Sequence, residues 1–207
     1  MKILLLVAHP DDEILSCFSV LLSHPDASIL YVSSGLKEES EKREMAVISA
    51  LKDVGNFKHF FLRGADNHLD NADEIMDFLM QYGPDEVWYP AFEKHGHRLH
   101  NEINIAINNE IQKFRSLGGD WTGCHEYVCY GRMSWIRMFA TIANIFLKPF
   151  NCLMGFTPEF EKGTYPRYTY HFSKKQSQMK LKAITIYRKM MGEPFRRIVR
   201  YKQESWK

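Results

Sequence analysis

The chain has 207 residues, 45% of them hydrophobic and 14% aromatic, a composition that excludes a disordered or low-complexity protein. A core of this size buries about 70% of the unfolded surface, and residues 1–207 read as one domain without a linker. With 27 Lys and Arg against 25 Asp and Glu, the net charge of +2 gives no electrostatic footprint for nucleic acid.

The first element is an apolar run, Ile3-Leu4-Leu5-Leu6-Val7, which predicts a fully buried strand of a parallel sheet over 3–8. Pro10 has no N–H for a ladder and ends it. His9, Asp11, Asp12 and Glu13 therefore stand at the carboxyl end of a central strand, where open α/β sheets bind ligands. Charge is costly there unless it is paired or metal-bound. Neighbouring side chains of a turn point in different directions, so one aspartate can bind a metal while the other faces a water. A helix is expected over 12–23 and a second strand over 29–33. Ser33-Ser34-Gly35 then forms a loop on the same sheet edge, where Gly35 provides a turn or a close backbone approach. The next helix, 38–53, is charged at its start and carries Arg43.

A third strand over 58–62 leads to Asp66, whose side chain suits a turn. A helix over 72–82 and a strand over 86–90 follow, and then the polar loop Glu93-Lys94-His95-Gly96. If a helix begins near Arg98 or Leu99 and runs to 116, His97 lies at its cap and His100 on its first turn. Residues three apart share a helix face, so both imidazoles can reach one site, with Ile103 and Ile107 turned inward. A fifth strand is expected over 125–130, and helices over 134–148 and 174–191.

Within Trp135 to Phe150 a narrow polar stripe of Arg137, Thr141, Asn144 and Lys148 faces a wide apolar surface. That surface suits packing on the core or on a second subunit, or peripheral contact with a membrane. The basic last third, including Lys174, Lys175, Lys180, Lys182, Arg188 and Lys189, reads as a solvated helix face; the alternative is a surface for anionic substrates or lipid headgroups. His59, His68, His125 and His171 have no partner at ligand spacing and read as structural or exposed. Cys17, Cys124, Cys129 and Cys152 lack CxxC spacing and read as reduced. With a first strand starting at once, the expected location is cytoplasmic. The alternation of strands and helices predicts an α/β fold with a mostly parallel central sheet. No GxGxxG follows the first strand, which argues against a dinucleotide enzyme.

Ala8-His9-Pro10-Asp11-Asp12-Glu13 and His97-Arg98-Leu99-His100, in this order and after these strands, resemble the two signatures of the LmbE/PIG-L family of zinc-dependent deacetylases. The resemblance implies a Rossmann-like three-layer sandwich and removal of acetyl groups from N-acetylglucosamine-type sugars or their conjugates. By matching position it implies His9, Asp12 and His100 as ligands of Zn2+, or of another divalent ion such as Fe2+. It makes Asp11 the general base and His97 the group that stabilises an oxyanion or acts as acid, most useful when charged. Arg43 and Asp66 match substrate-side positions, with an exposed helix residue and a turn residue as their plainer readings. Glu13 matches the motif glutamate, or supplies charge near a helix N-terminus. One departure stands out: Leu99 occupies the place of the family's aspartate, whose orienting role would fall to Glu93, Glu102 or Asp66, and His95 competes with His97. A non-catalytic metal-binding α/β module is the alternative.

Overall fold

A computed structural model describes residues 1–93, 97–116, 123–127, 168–192 and 203–206. Five parallel strands form its centre: β1 (Ile3–Val7), β2 (Ser28–Ser33), β3 (Lys58–Gly64), β4 (Glu86–Pro90) and β5 (Cys124–Tyr127). Their order is β3-β2-β1-β4-β5, extended by antiparallel β7 (Gln203–Trp206) and β6 (Tyr168–His171). β1 pairs with β2 through Leu5↔Ile29 and with β4 through Leu5↔Trp88, so the order reverses between β1 and β4. At such a switch point the loops leaving two adjacent strands diverge and open a crevice.

Strand periodicity sends alternate side chains of β1 to opposite faces. Ile3, Leu5 and Val7 pack with α1 (Asp12–Leu15), α2 (Phe18–Ser23), α3 (Ser40–Leu51) and α6 (Lys174–Met191), through Phe18, Leu21, Val47, Leu51 and Ile184. Leu4 and Leu6 pack with α4 (Ala72–Tyr82) and α5 (Arg98–Ser116), through Ile75, Leu79, Leu99, Ile103 and Ile107. The result is the expected three-layer α/β sandwich.

Several boundaries differ from expectation. The helix expected over 12–23 is two short helices, because the Leu15 carbonyl accepts from Lys180 Nζ at 2.7 Å and Cys17 leaves helical geometry. Lys180 is thus 2% exposed, not part of a solvated basic face, while Lys174, Lys175, Lys182 and Lys189 of the same helix are exposed. A single 3-10 turn, Lys37–Glu39, precedes α3, which begins at Ser40 rather than 38. β6 and β7 carried no periodic signal. Residues 128–130 and the helix expected over 134–148, with its apolar face, lie outside the described residues, as does His95. Among the described residues no helix is long and apolar enough to cross a membrane.

Candidate metal centre

β1 stops at Val7, and the next residues turn sharply. The His9 carbonyl accepts from the amides of Asp11 (3.0 Å) and Asp12 (3.3 Å), while the His9 amide donates to Asp12 Oδ2 at 2.9 Å. The turn therefore folds the Asp12 carboxylate back over the strand end. From the other side of the switch point, α5 begins at Arg98 and brings His100 in on its first turn, 2% exposed. Its apolar positions Leu99, Ile103, Ile107 and Ile111 lock the helix against the sheet and fix the direction of His100.

The two segments meet. Asp12 Oδ2 lies 3.1 Å from His100 Nε2 and 3.6 Å from His9 Nδ1, and His100 Nε2 lies 3.4 Å from His9 Nδ1. Nitrogen and oxygen ligands around a tetrahedral ion are about 3.3–3.6 Å apart when their bonds to it are about 2.0–2.2 Å, so this donor set fits a divalent cation. The remaining nitrogen of His9, Nε2, faces the Asp66 carbonyl at 3.0 Å and Asp66 Oδ1 at 3.4 Å. An oxygen at that position keeps a proton on Nε2, so Nδ1 is the nitrogen whose proton an incoming cation would displace, as with the oxygen partners of metal-binding histidines. Ring nitrogens of His9, His97 and His100 also lie within 4.8 Å of one another, so three imidazoles surround the spot.

Electrostatics reflect the crowding. Burial opposes ionisation of Asp12, but the adjacent His100 and His9 outweigh it and hold the carboxyl well below its ordinary pKa. Burial likewise opposes charge on His9, yet the Asp12 carboxylate, the Asp66 carbonyl and Asp11 raise its pKa to about 9. For Asp11, desolvation and the Asp12 charge raise the pKa to about 7, against the pull of His9, Arg43 and His100. Glu13 is fully buried, and that burial pushes its carboxyl well above the usual range. That disfavours the charged form, which weighs against the reading in which Glu13 supplies charge to a helix N-terminus.

His97 also departs from expectation. Burial, followed by the charges of His9 and His100, lowers its pKa, so the imidazole is neutral near pH 7 rather than cationic. Its Nδ1 is buried with no hydrogen-bond partner among the described residues. Glu102, one expected substitute for the missing aspartate, is instead committed to the Leu69 amide and Arg98 Nε, each at 2.6 Å. Asp66, another, faces His9. Leu99 itself is fully buried in the core under α5.

Arg43 lies on α3 with its guanidinium against Gly35; a Cβ on that glycine would come within 2.5 Å of it. Gly35 also has φ +81°, so it serves as both the turn and the close approach. A cleft of about 790 Å³ opens between residues 34–41 and 63–70, with Asp66 on its wall. Two of its lining residues, Ser34 and Arg63, are tied together by Glu44, whose part sequence reasoning missed. Glu44 accepts from Ser34 Oγ (2.7 Å) and from Arg63 Nε and Nη2 (2.9 Å each). A glutamate beside Arg43 on a helix face was the available signal, but its partners come from the loop after β2 and from β3.

No family model matches the chain, and no curated protein matches it. Among solved structures it is similar to the N,N'-diacetylchitobiose deacetylase of Pyrococcus horikoshii, determined with its inhibitor. That likeness has a TM-score of 0.63 and 15% identity, and covers 100% of this chain and 82% of the other. A conserved protein of Thermus thermophilus gives 0.56 at 16% identity, covering 100% and 93%. The 4-carboxy-2-hydroxymuconate hydratase of Pseudomonas putida gives 0.55 at 11%, covering 94% and 80%. At these identities the likenesses establish a shared fold.

Proposed function

We propose that this chain is a metal-dependent amidohydrolase that removes the N-acetyl group from an N-acetylglucosamine-type amino sugar or its conjugate. The observation that carries the reading is the convergence of Asp12 Oδ2, His9 Nδ1 and His100 Nε2 within 3.1–3.6 Å at the switch point, with a second carboxylate, Asp11, beside them. The deacetylase among the fold neighbours and the two sequence signatures support the choice of reaction; the hydratase shows that the scaffold alone does not decide it.

His9, Asp12 and His100 would hold the ion, Zn2+ on the family resemblance, and a His₂Asp set also accepts Fe2+. Bound there, it would supply Lewis acidity toward the amide carbonyl and lower the pKa of the attacking water. Asp11, with a pKa of about 7, is matched to a proton that must be taken and returned near neutrality. It accepts a proton from the water whose oxygen attacks the amide carbon, and delivers it to the nitrogen as the C–N bond breaks, leaving acetate and a free amine. His97, neutral, donates one N–H to the developing oxyanion. Asp66 orients His9, and the cleft beside it has room for a sugar; the family resemblance puts Arg43, packed against Gly35 of that cleft, on the substrate side. The site calls for a small-molecule partner.

Acetate release by zinc-loaded protein from N-acetylglucosamine carrying different aglycones tests the reading. Turnover on at least one member, abolished by chelation, is the expected result; metal binding with no release from any of them would sink the enzyme reading. A metal-binding module without turnover is the second reading, favoured by His97 Nδ1, which has no hydrogen-bond partner among the described residues.

A further inference from the structure

The two halves of the centre are built very differently. His100 is carried by α5, a helix of 19 residues with an apolar face in the core. Asp12 opens α1, a helix of four residues, and four residues cannot sustain helical geometry alone. The turn is closed from within by the His9 carbonyl, which accepts from the Asp11 and Asp12 amides, and by the His9 N–H, whose acceptor Asp12 Oδ2 is the carboxylate oxygen that faces both histidines. These bonds are all local, and what sets the turn against the rest of the fold comes from outside it.

Helix α6 supplies that support. Its buried stripe is Lys180, Ala183, Ile184, Tyr187 and Met191, an apolar face interrupted by two polar side chains seven residues apart. The Tyr187 hydroxyl, 1% exposed, donates to the Pro10 carbonyl. Lys180 Nζ donates to the Leu15 carbonyl at 2.7 Å. The two acceptors bracket the turn that carries Asp11 and Asp12. A buried donor is costly without a partner, so each side chain fixes the position of the carbonyl it meets. The bar is itself anchored: Ser173 and Gln176 form a capping box at its start, Lys42 Nζ meets the Met191 carbonyl at its end (3.1 Å), and Lys182 pairs with Asp53 at 2.6 Å.

We propose that Tyr187 and Lys180 are positioning residues that hold the Asp11–Asp12 turn in register with His100, through the carbonyls of Pro10 and Leu15. The consequence for metal affinity rests on the metal-centre reading above; the bracing of the turn does not.

Hydrogen exchange of the metal-free full-length chain, wild type against Tyr187→Phe, reads the brace directly. Amides of Ile14, Leu15 and Ser16 should exchange about tenfold faster, while those of β2 stay unchanged. Zinc titration of the same proteins should show affinity reduced about tenfold, the size of effect expected when a group supporting a ligand is lost, with kcat lowered and KM retained. Lys180→Met, which keeps the buried stem, should act in the same direction and decides the matter if Tyr187→Phe does not fold. Unchanged exchange at residues 14–16 overturns the proposal, and so does uniformly faster exchange with unchanged zinc affinity. Wild-type protein that binds no zinc overturns the metal-centre reading, and the exchange result still decides the brace.

Discussion

Two polar clusters lie on the same rim of the sheet and are built on opposite principles. Beyond β2 and β3, Glu44 is closed: one oxygen accepts from Ser34 and Arg63, the other from Arg63 again, and the Arg63 guanidinium lowers the carboxyl's pKa. Beyond β1 and β4, the groups are held from behind and point at a shared volume. His9 is fixed by Asp66, the Asp12 turn by α6, and His100 by the core, while Asp12 Oδ2 and two ring nitrogens crowd within 3.6 Å. A closed network stabilises a loop. A convergent one has electron pairs left for an ion, which is the distinction between a structural ion pair and a site.

The largest expected effect is on turnover. Asp11→Asn should lower kcat by about a hundredfold to ten-thousandfold, the usual contribution of a general base, while zinc stoichiometry stays at wild type. Steady-state kinetics alongside metal analysis checks this, and retained turnover would remove Asp11 from the mechanism. Leu99→Asp comes next. It introduces the carboxylate that the LmbE/PIG-L signature carries at the matching position, but Leu99 is fully buried among apolar side chains. The variant should lose about 3 kcal/mol or more of unfolding free energy in urea and gain no activity; improved turnover would show that the missing aspartate has a vacant place beside His97.

Glu44→Gln sharpens the contrast from the other side. It should cost a few degrees in Tm, leave zinc affinity at wild type and disturb the cleft wall. Loss of zinc binding would mean that the two clusters are one. The smallest effect belongs to His59 on β3, whose ring lies nearly parallel to those of Tyr31 and Phe61 and whose Nδ1 is hydrogen-bonded to the Tyr31 hydroxyl. Burial lowers its pKa to about 4, against 6.5 for the free group. The unfolded chain therefore binds the extra proton, and stability falls as pH drops from 6.5 towards 4. His59→Phe should flatten that part of the urea-midpoint profile relative to wild type; an unchanged slope would show that the imidazole is not desolvated.

The central sheet was readable because β1, β2 and β4 are short, mostly apolar runs bounded by breakers, and α4, α5 and α6 keep a helical period over eleven residues or more. The motif turn was readable because Pro10 must end a strand and charge does not stand idle at its end. What was hidden depends on contacts between residues far apart in sequence. Lys180 looked like part of a basic surface, since nothing local reveals that a lysine meets a carbonyl 165 residues away. Asp66 read as a turn or substrate residue, and its place behind His9 follows from the packing of β3 beside β1's neighbour. The charge of His97 depended on how many imidazoles gather round it, and spacing alone does not give that number.

The central claim is that Asp12, with His9 and His100, holds the ion, while His97 stands beside it. Zinc titration of Asp12→Ala and His97→Ala tests it most directly. The account predicts that Asp12→Ala loses more than about a hundredfold in affinity, beyond the range seen when only a ligand's supporting partner is changed, and that His97→Ala stays close to wild type. The reverse order, with three imidazoles carrying the metal and the carboxylate dispensable, would contradict it.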